Sequence, residues 1–135
     1  MNPNKILSSL KASHTVVSSR ISNISECARD YQKAYVLLGE LESLLFNHFT
    51  IQNDGFYMWL EQEGKGPLPL IEFLKVDMQE LQVEFLDFLD RYSKNVNSIR
   101  IRNFPREFHL FSKKILERFS LEEDQIFPLL AVNNK

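Results

Sequence analysis

Six polar residues stand in stripes that are otherwise apolar: His14, His48, Gln52, Asp77, Arg118 and Glu122. A buried ionisable group is costly unless it is paired or metal-bound, so a set of this size requires one arrangement or the other. Imidazoles and carboxylates projecting from facing helices are the materials of a metal centre in a bundle core. The same groups also make a polar network, with Arg118 paired to Asp77 or Glu122 and the two histidines bonded within the cluster. Arg118 weighs between the two. It lies four residues before Glu122, hence on the same helical face, and a permanent cation there repels a divalent ion and offers its charge to the carboxylates. The residues therefore favour a structural network with no metal and no other cofactor. One ion held by His14, His48, Asp77 and Glu122 is the alternative.

Other chemistry finds little support. The chain has no glycine-rich phosphate loop, no Cys-x-x-Cys and no His-Glu-x-x-His. Cys27 reads as a small packed residue rather than a nucleophile. Glu122, Glu123 and Asp124 form an acidic run, read as a solvated face with Glu122 turned inward. The stretch Phe56, Tyr57, Met58, Trp59 holds more apolar bulk than one inward face hides. It either plugs the end of a bundle or presents Phe56, Tyr57 and Trp59 to a protein partner as aromatic anchors.

Four helices are needed to bring the six residues together. Eleven Phe against four Gly and five Pro favour long helices over a many-turned β fold. The first helix begins near Pro3 with the stripe Leu7, Leu10, His14, Val17, Ile21, Ile24, Ala28. A second starts near Asp30 and carries Tyr31, Tyr35, Leu38, Leu41, Leu45, His48 and Gln52. Residues 25–31 contain neither Gly nor Pro, so one bent helix is an open alternative there. The clearest break is Gly64-Lys65-Gly66-Pro67. A third helix then runs to about Tyr92, with Leu70, Leu74, Asp77, Leu81, Phe85 and Phe88 on one face. The polar segment Ser93 to Asn103 reads as a loop, and Pro105 as a first-turn residue of the fourth helix. That helix shows Phe108, Phe111, Ile115, Arg118, Glu122, Ile126 and Leu129 in one stripe, and Pro128 bends or stops it. Such elements pack most simply as one all-α domain over residues 1–135, an antiparallel up-and-down four-helix bundle.

Several classes of function fall away. A formal net charge of −2 is wrong for a general nucleic-acid binder, and Arg100, Arg102 and Arg106 are too few to change that. No apolar run approaches a membrane span. The start, Met1-Asn2-Pro3-Asn4-Lys5, lacks the apolar core of a signal peptide. A single cysteine suits a reducing compartment, so a cytoplasmic location is expected.

The same positions resemble two bundle families, one of them bacterial regulators. The hemerythrin pattern places a His on the first helix, His-x3-Glu on the second, a His on the third and His-x3-Glu or Asp on the fourth. Here Leu10-Lys11-Ala12-Ser13-His14, His48-Phe49-Thr50-Ile51-Gln52 and Arg118-Phe119-Ser120-Leu121-Glu122 stand at those places, the last running on to Ile126-Phe127-Pro128. Gln52, Asp77 and Arg118 replace ligands of that pattern, while His14, His48 and Glu122 keep them. The chain is also similar to the Rsd/AlgQ regulators, which bind a sigma factor of RNA polymerase. Those proteins carry a His-Phe-x-Ile/Val segment like His48-Phe49-Thr50-Ile51 and an Arg-Phe-x-Leu-Glu segment like residues 118–122. That resemblance implies a non-enzymatic adaptor acting by protein contact, with a sigma factor as partner; independently of it, a homodimer that completes its core only on pairing is the alternative to a self-contained bundle. The hemerythrin resemblance implies a metal-binding protein with a reduced or lost di-iron site.

Overall fold

The computed structural model describes residues 3–64, 68–92 and 95–128. Helix α1 spans Pro3–Glu26 and α2 spans Tyr31–Thr50. Without a break, α2 passes into a π-helical segment, Ile51–Tyr57, and then into the short α3, Met58–Glu63. Helices α4 and α5 span Leu68–Arg91 and Ser98–Gln125. The α2–π–α3 run acts as one rod, so four rods form an all-α antiparallel bundle.

Local chemistry sets the ends of these rods. Pro3 opens α1 and Pro69 falls in the first turn of α4, where a missing N–H costs nothing. Between α1 and α2 the chain turns at residues 27–30, so the two are separate helices. Asp30 starts the second by accepting from the Lys33 backbone N–H at 3.4 Å, a capping signal that serves in place of Gly or Pro. Gly64 ends α3 with φ of 63°, the left-handed conformation that only glycine adopts cheaply.

The fourth rod begins earlier than its sequence suggests. Residues 98–103, expected as loop, are helical, and Pro105 lies inside α5 rather than at its start. Asn97 caps the helix, its side chain accepting from the Arg100 N–H at 2.9 Å. Phe104 is buried, edge-on to Tyr31 at 5.5 Å and to Tyr92 at 5.1 Å. The cap and this aromatic anchor hold the first turns despite the hydrogen bond that Pro105 cannot make. At the other end α5 stops at Gln125, three residues before Pro128; Leu129 lies outside the described residues.

Two apolar clusters make the core. One contains Val17, Ile21, Ile24, Leu38, Leu41, Leu45, Phe49, Met78, Phe85, Phe88, Phe108, Ile115 and Phe119. The other contains Ile6, Leu10, Phe56, Tyr57, Trp59, Leu60, Ile71, Leu74, Ile126 and Phe127. This second cluster joins the start of α1, the end of α3, the start of α4 and the end of α5, as an up-down-up-down order requires. The inward row of α4 is Ile71, Leu74, Met78, Leu81, Phe85 and Phe88, with the expected Leu70 only half-buried. Where the clusters meet, each rod contributes a polar residue: His14, His48 with Gln52, Asp77, and Arg118 with Glu122. The bundle thus has a polar layer across its middle.

Candidate metal centre

His14, His48, Gln52, Arg118 and Glu122 are all buried, and Glu122, His48 and Gln52 are wholly so. His14, His48 and Glu122 each bring one ligand-type atom within 4.8 Å of the others. Helix spacing accounts for this. His14 sits one turn from Leu10 and Val17, His48 follows Leu45, and Glu122 follows Phe119, so each occupies a core position of its rod.

Every member has one polar atom held and one left over. The His14 Nδ1 lies 2.9 Å from Glu123 Oε1, and the His48 Nδ1 lies 2.8 Å from Ser13 Oγ. The Tyr57 hydroxyl donates to Glu122 Oε2 at 3.1 Å. The remaining atoms, His14 Nε2, His48 Nε2 and Glu122 Oε1, are buried with no hydrogen-bond partner. His14 Nε2 and Glu122 Oε1 are 3.3 Å apart, close enough to attract but not aligned to bond. Both amide atoms of Gln52 are also buried and unpartnered. Gln52 follows His48 by one turn and precedes Tyr57 by five residues, which places it between two members of the layer on the same rod.

Charge and burial hold the cluster in a definite state. Burial, reinforced by the neighbouring His14, lowers the His48 pKa from 6.5 to about 3, so the imidazole is neutral at pH 7. The tautomer with its proton on Nδ1 donates to Ser13 and leaves Nε2 as a free acceptor. Burial raises the Glu122 carboxyl, opposed by His14, Tyr57 and Arg118. Burial and the Glu122 carboxylate raise the Tyr57 phenol, which keeps its proton and remains a donor. Phe119 stacks on His14 with centroids 3.9 Å apart and closes the layer on the side of the larger cluster.

Asp77 stands apart from this group. Its side chain is 40% exposed and forms an ion pair with Arg118. Met78, not Asp77, takes the inward row of α4, and Asp77 turns toward α5 to meet the guanidinium. The four-ligand set that included Asp77 is therefore corrected to three residues. The expected pairing of Arg118 with a carboxylate is present, and it is made to Asp77. Arg118 itself is buried, with Nε and Nη1 unpartnered, and burial lowers its pKa against the opposing pull of Tyr57 and Glu122.

Phe56, Tyr57 and Trp59, read from sequence as possible partner anchors, lie inside. Phe56 and Tyr57 are 0% exposed and Trp59 8%, leaving Met58 as the exposed member of that stretch. The π-helical turn explains it: its wider i→i+5 ladder lets adjacent residues face inward together. Phe56 and Tyr57 fill the end of the bundle, and Tyr57 becomes part of the polar layer. Sequence reasoning missed Ser13, Glu123 and this role of Tyr57. The first two sit beside His14 and Glu122 in the chain, and that adjacency was the available signal.

A donor set with each outer atom already held and each inner atom free is what a metal site requires, because outer hydrogen bonds fix the tautomer and aim of the ligands. Donors about 2.1 Å from a common ion stand roughly 3.4–4.2 Å apart, so only a small inward rotation separates these residues from that spacing. The residues present fit one ion. Among the described residues, no helix is long and apolar enough to cross a membrane. The family model described as hemerythrin HHE cation binding domain matches residues 5–130. No curated protein and no solved structure matches the chain. The resemblance to the Rsd/AlgQ regulators gains no support from these comparisons.

Proposed function

The chain belongs to the hemerythrin HHE cation-binding family, and from that premise we propose that it is a reduced member binding one divalent metal ion. His14 Nε2, His48 Nε2 and Glu122 Oε1 would hold the ion, with the neutral carbonyl of Gln52 as the available fourth donor. The observation that carries this reading is that three buried residues bring ligand-type atoms within 4.8 Å of one another, and each keeps a side-chain atom without a partner while its opposite end is bonded. A buried unsatisfied polar atom costs about 1–3 kcal/mol, so several in one place call for an occupant.

Arg118 argues for one ion rather than two. Gln52, Asp77 and Arg118 stand where the family pattern has further ligands, and the guanidinium supplies a fixed positive charge there. When bound, the ion neutralises Glu122 and ties α1, α2 and α5 together. The protein's own residues do the rest. Ser13 and Glu123 orient the imidazoles, Tyr57 fixes the carboxylate, and Phe119 and Phe127 exclude water. A fully buried site with a complete donor set suits a structural or sensing role better than catalysis, where metal sites keep an open position.

A second reading is favoured by the Arg118–Asp77 ion pair: the layer is purely structural, and the bundle acts by contact with a protein partner. Cobalt titration followed by absorption spectroscopy separates the two. The metal reading expects tetrahedral-type cobalt bands in the wild type, lost in His14→Ala, His48→Ala and Glu122→Ala and kept in Asp77→Asn. Absence of bands in the folded wild type, or their persistence in all three ligand variants, defeats it.

A further inference from the structure

Charge along the bundle is sorted by helix in a way the metal centre does not use. Helix α4 carries six acidic residues against two basic ones over residues 68–91. The first half of α5, residues 98–114, carries five basic residues against one acidic. These helices are antiparallel neighbours, joined across their seam by Lys114–Glu84 at 3.1 Å and by the Arg118–Asp77 pair. Beyond those internal pairs, Glu80, Asp87 and Asp90 on α4 and Arg102 and Arg106 on α5 are exposed. The same surface carries more exposed apolar bulk than isolated side chains explain. Phe73, Val76 and Val83 on α4 and Ile99 and Leu110 on α5 are each more than half exposed.

We propose that the α4–α5 seam is a two-fold interface with a second copy of this chain. An axis along the seam lays α4 of each copy on α5 of the other, so the acidic ridge meets the basic half-helix twice over. The antiparallel pairing sets the level. Glu84 lies beside Lys114, and Phe88 packs on Phe104, Phe108 and Phe111, so the C-terminal half of α4 is level with the basic half of α5. The exposed apolar residues then form the centre and the charges the rim, the usual anatomy of an interface. Pairing α4 with α4 is ruled out by its own acid, and an isologous contact closes at two copies instead of growing into a fibre.

The test uses the full chain and two charge-reversal variants at exposed positions, Asp87→Lys and Arg106→Glu, studied by sedimentation equilibrium. The wild type is expected to be a dimer that weakens as salt is raised. Each variant alone brings like charges together in both halves of the interface and should weaken dimerisation by about 100-fold. A mixture of the two variants restores attraction in both halves and should dimerise as the wild type does. Circular dichroism checks that both variants stay helical, and neither position belongs to the polar layer. A monomeric wild type at high micromolar concentration overturns the proposal. So does a dimer that both variants leave intact, or a mixture that stays monomeric.

Discussion

Replacing Arg118 with Met separates the role of the guanidinium in folding from its role in excluding charge. Arg118 and Glu122 are neighbours on one helical face, which puts the guanidinium on the order of 8 Å from an ion held by Glu122. At an effective dielectric of about 20, a divalent ion and a unit charge at that distance repel by roughly 4 kcal/mol. The Asp77 carboxylate paired with Arg118 cancels more than half, leaving about 1–2 kcal/mol, or roughly 5–30-fold in affinity. Folding responds differently. Asp77 is 40% exposed and rehydrates when its partner is lost, and Met fills the space of the Arg118 stem. Stability of the metal-free protein should therefore change by no more than about 1 kcal/mol. The assay is competition with a chromophoric chelator for zinc or cobalt, with urea melts of the metal-free protein alongside. Tighter metal binding with nearly unchanged melts is expected. A folded Arg118→Met protein that binds metal no better, or worse, refutes the argument that this cation restrains the site.

Two further outcomes follow from the pKa of His48 and from a helix cap. Between pH 6.5 and about 3 the unfolded chain holds a proton on His48 that the folded chain does not; stability of the metal-free protein therefore falls as pH drops through this window, by at most about 5 kcal/mol. Glu122 acts oppositely, since its raised pKa makes its contribution fall as pH rises above about 4.5. The difference in unfolding free energy between the wild type and His48→Gln, followed from pH 7 to 4, isolates the first effect, and a difference that does not vary with pH contradicts it. Asn97→Ala removes the α5 cap and should cost about 1 kcal/mol in urea melts, with Asn97→Asp close to wild type; equal losses in both would show that the α5 start is held by its aromatic packing alone.

Most of the architecture was legible because apolar spacing reports which face of a helix is buried. The stripes of α1, α2 and α5 placed His14, His48 and Glu122 inside, and the structure brings those three together. Asp77 misled because it lies at the edge of the α4 stripe, where Met78 takes the core position and a long partner on α5 draws the carboxylate outward. The start of α5 was hidden by its polar first turns and by Pro105, whose backbone penalty is offset by Asn97 and Phe104, one a cap and the other a distant tertiary contact. Burial of Phe56 and Tyr57 depended on a π-helical turn, and a search at the α-helical period does not register one. For Ser13 and Glu123 the sequence offered only their adjacency to His14 and Glu122, and not the hydrogen bonds they make. Which polar neighbour meets which imidazole nitrogen depends on packing between rods rather than on spacing within one.

The most direct test is the metal content of protein purified without chelator and then reconstituted, measured by elemental analysis against protein concentration. One divalent ion per chain, removed by chelator and absent from His48→Ala, is the predicted result. Two ions per chain would contradict the claim that Arg118 limits the site to one. A folded wild type that takes up none would return the layer to a purely structural role.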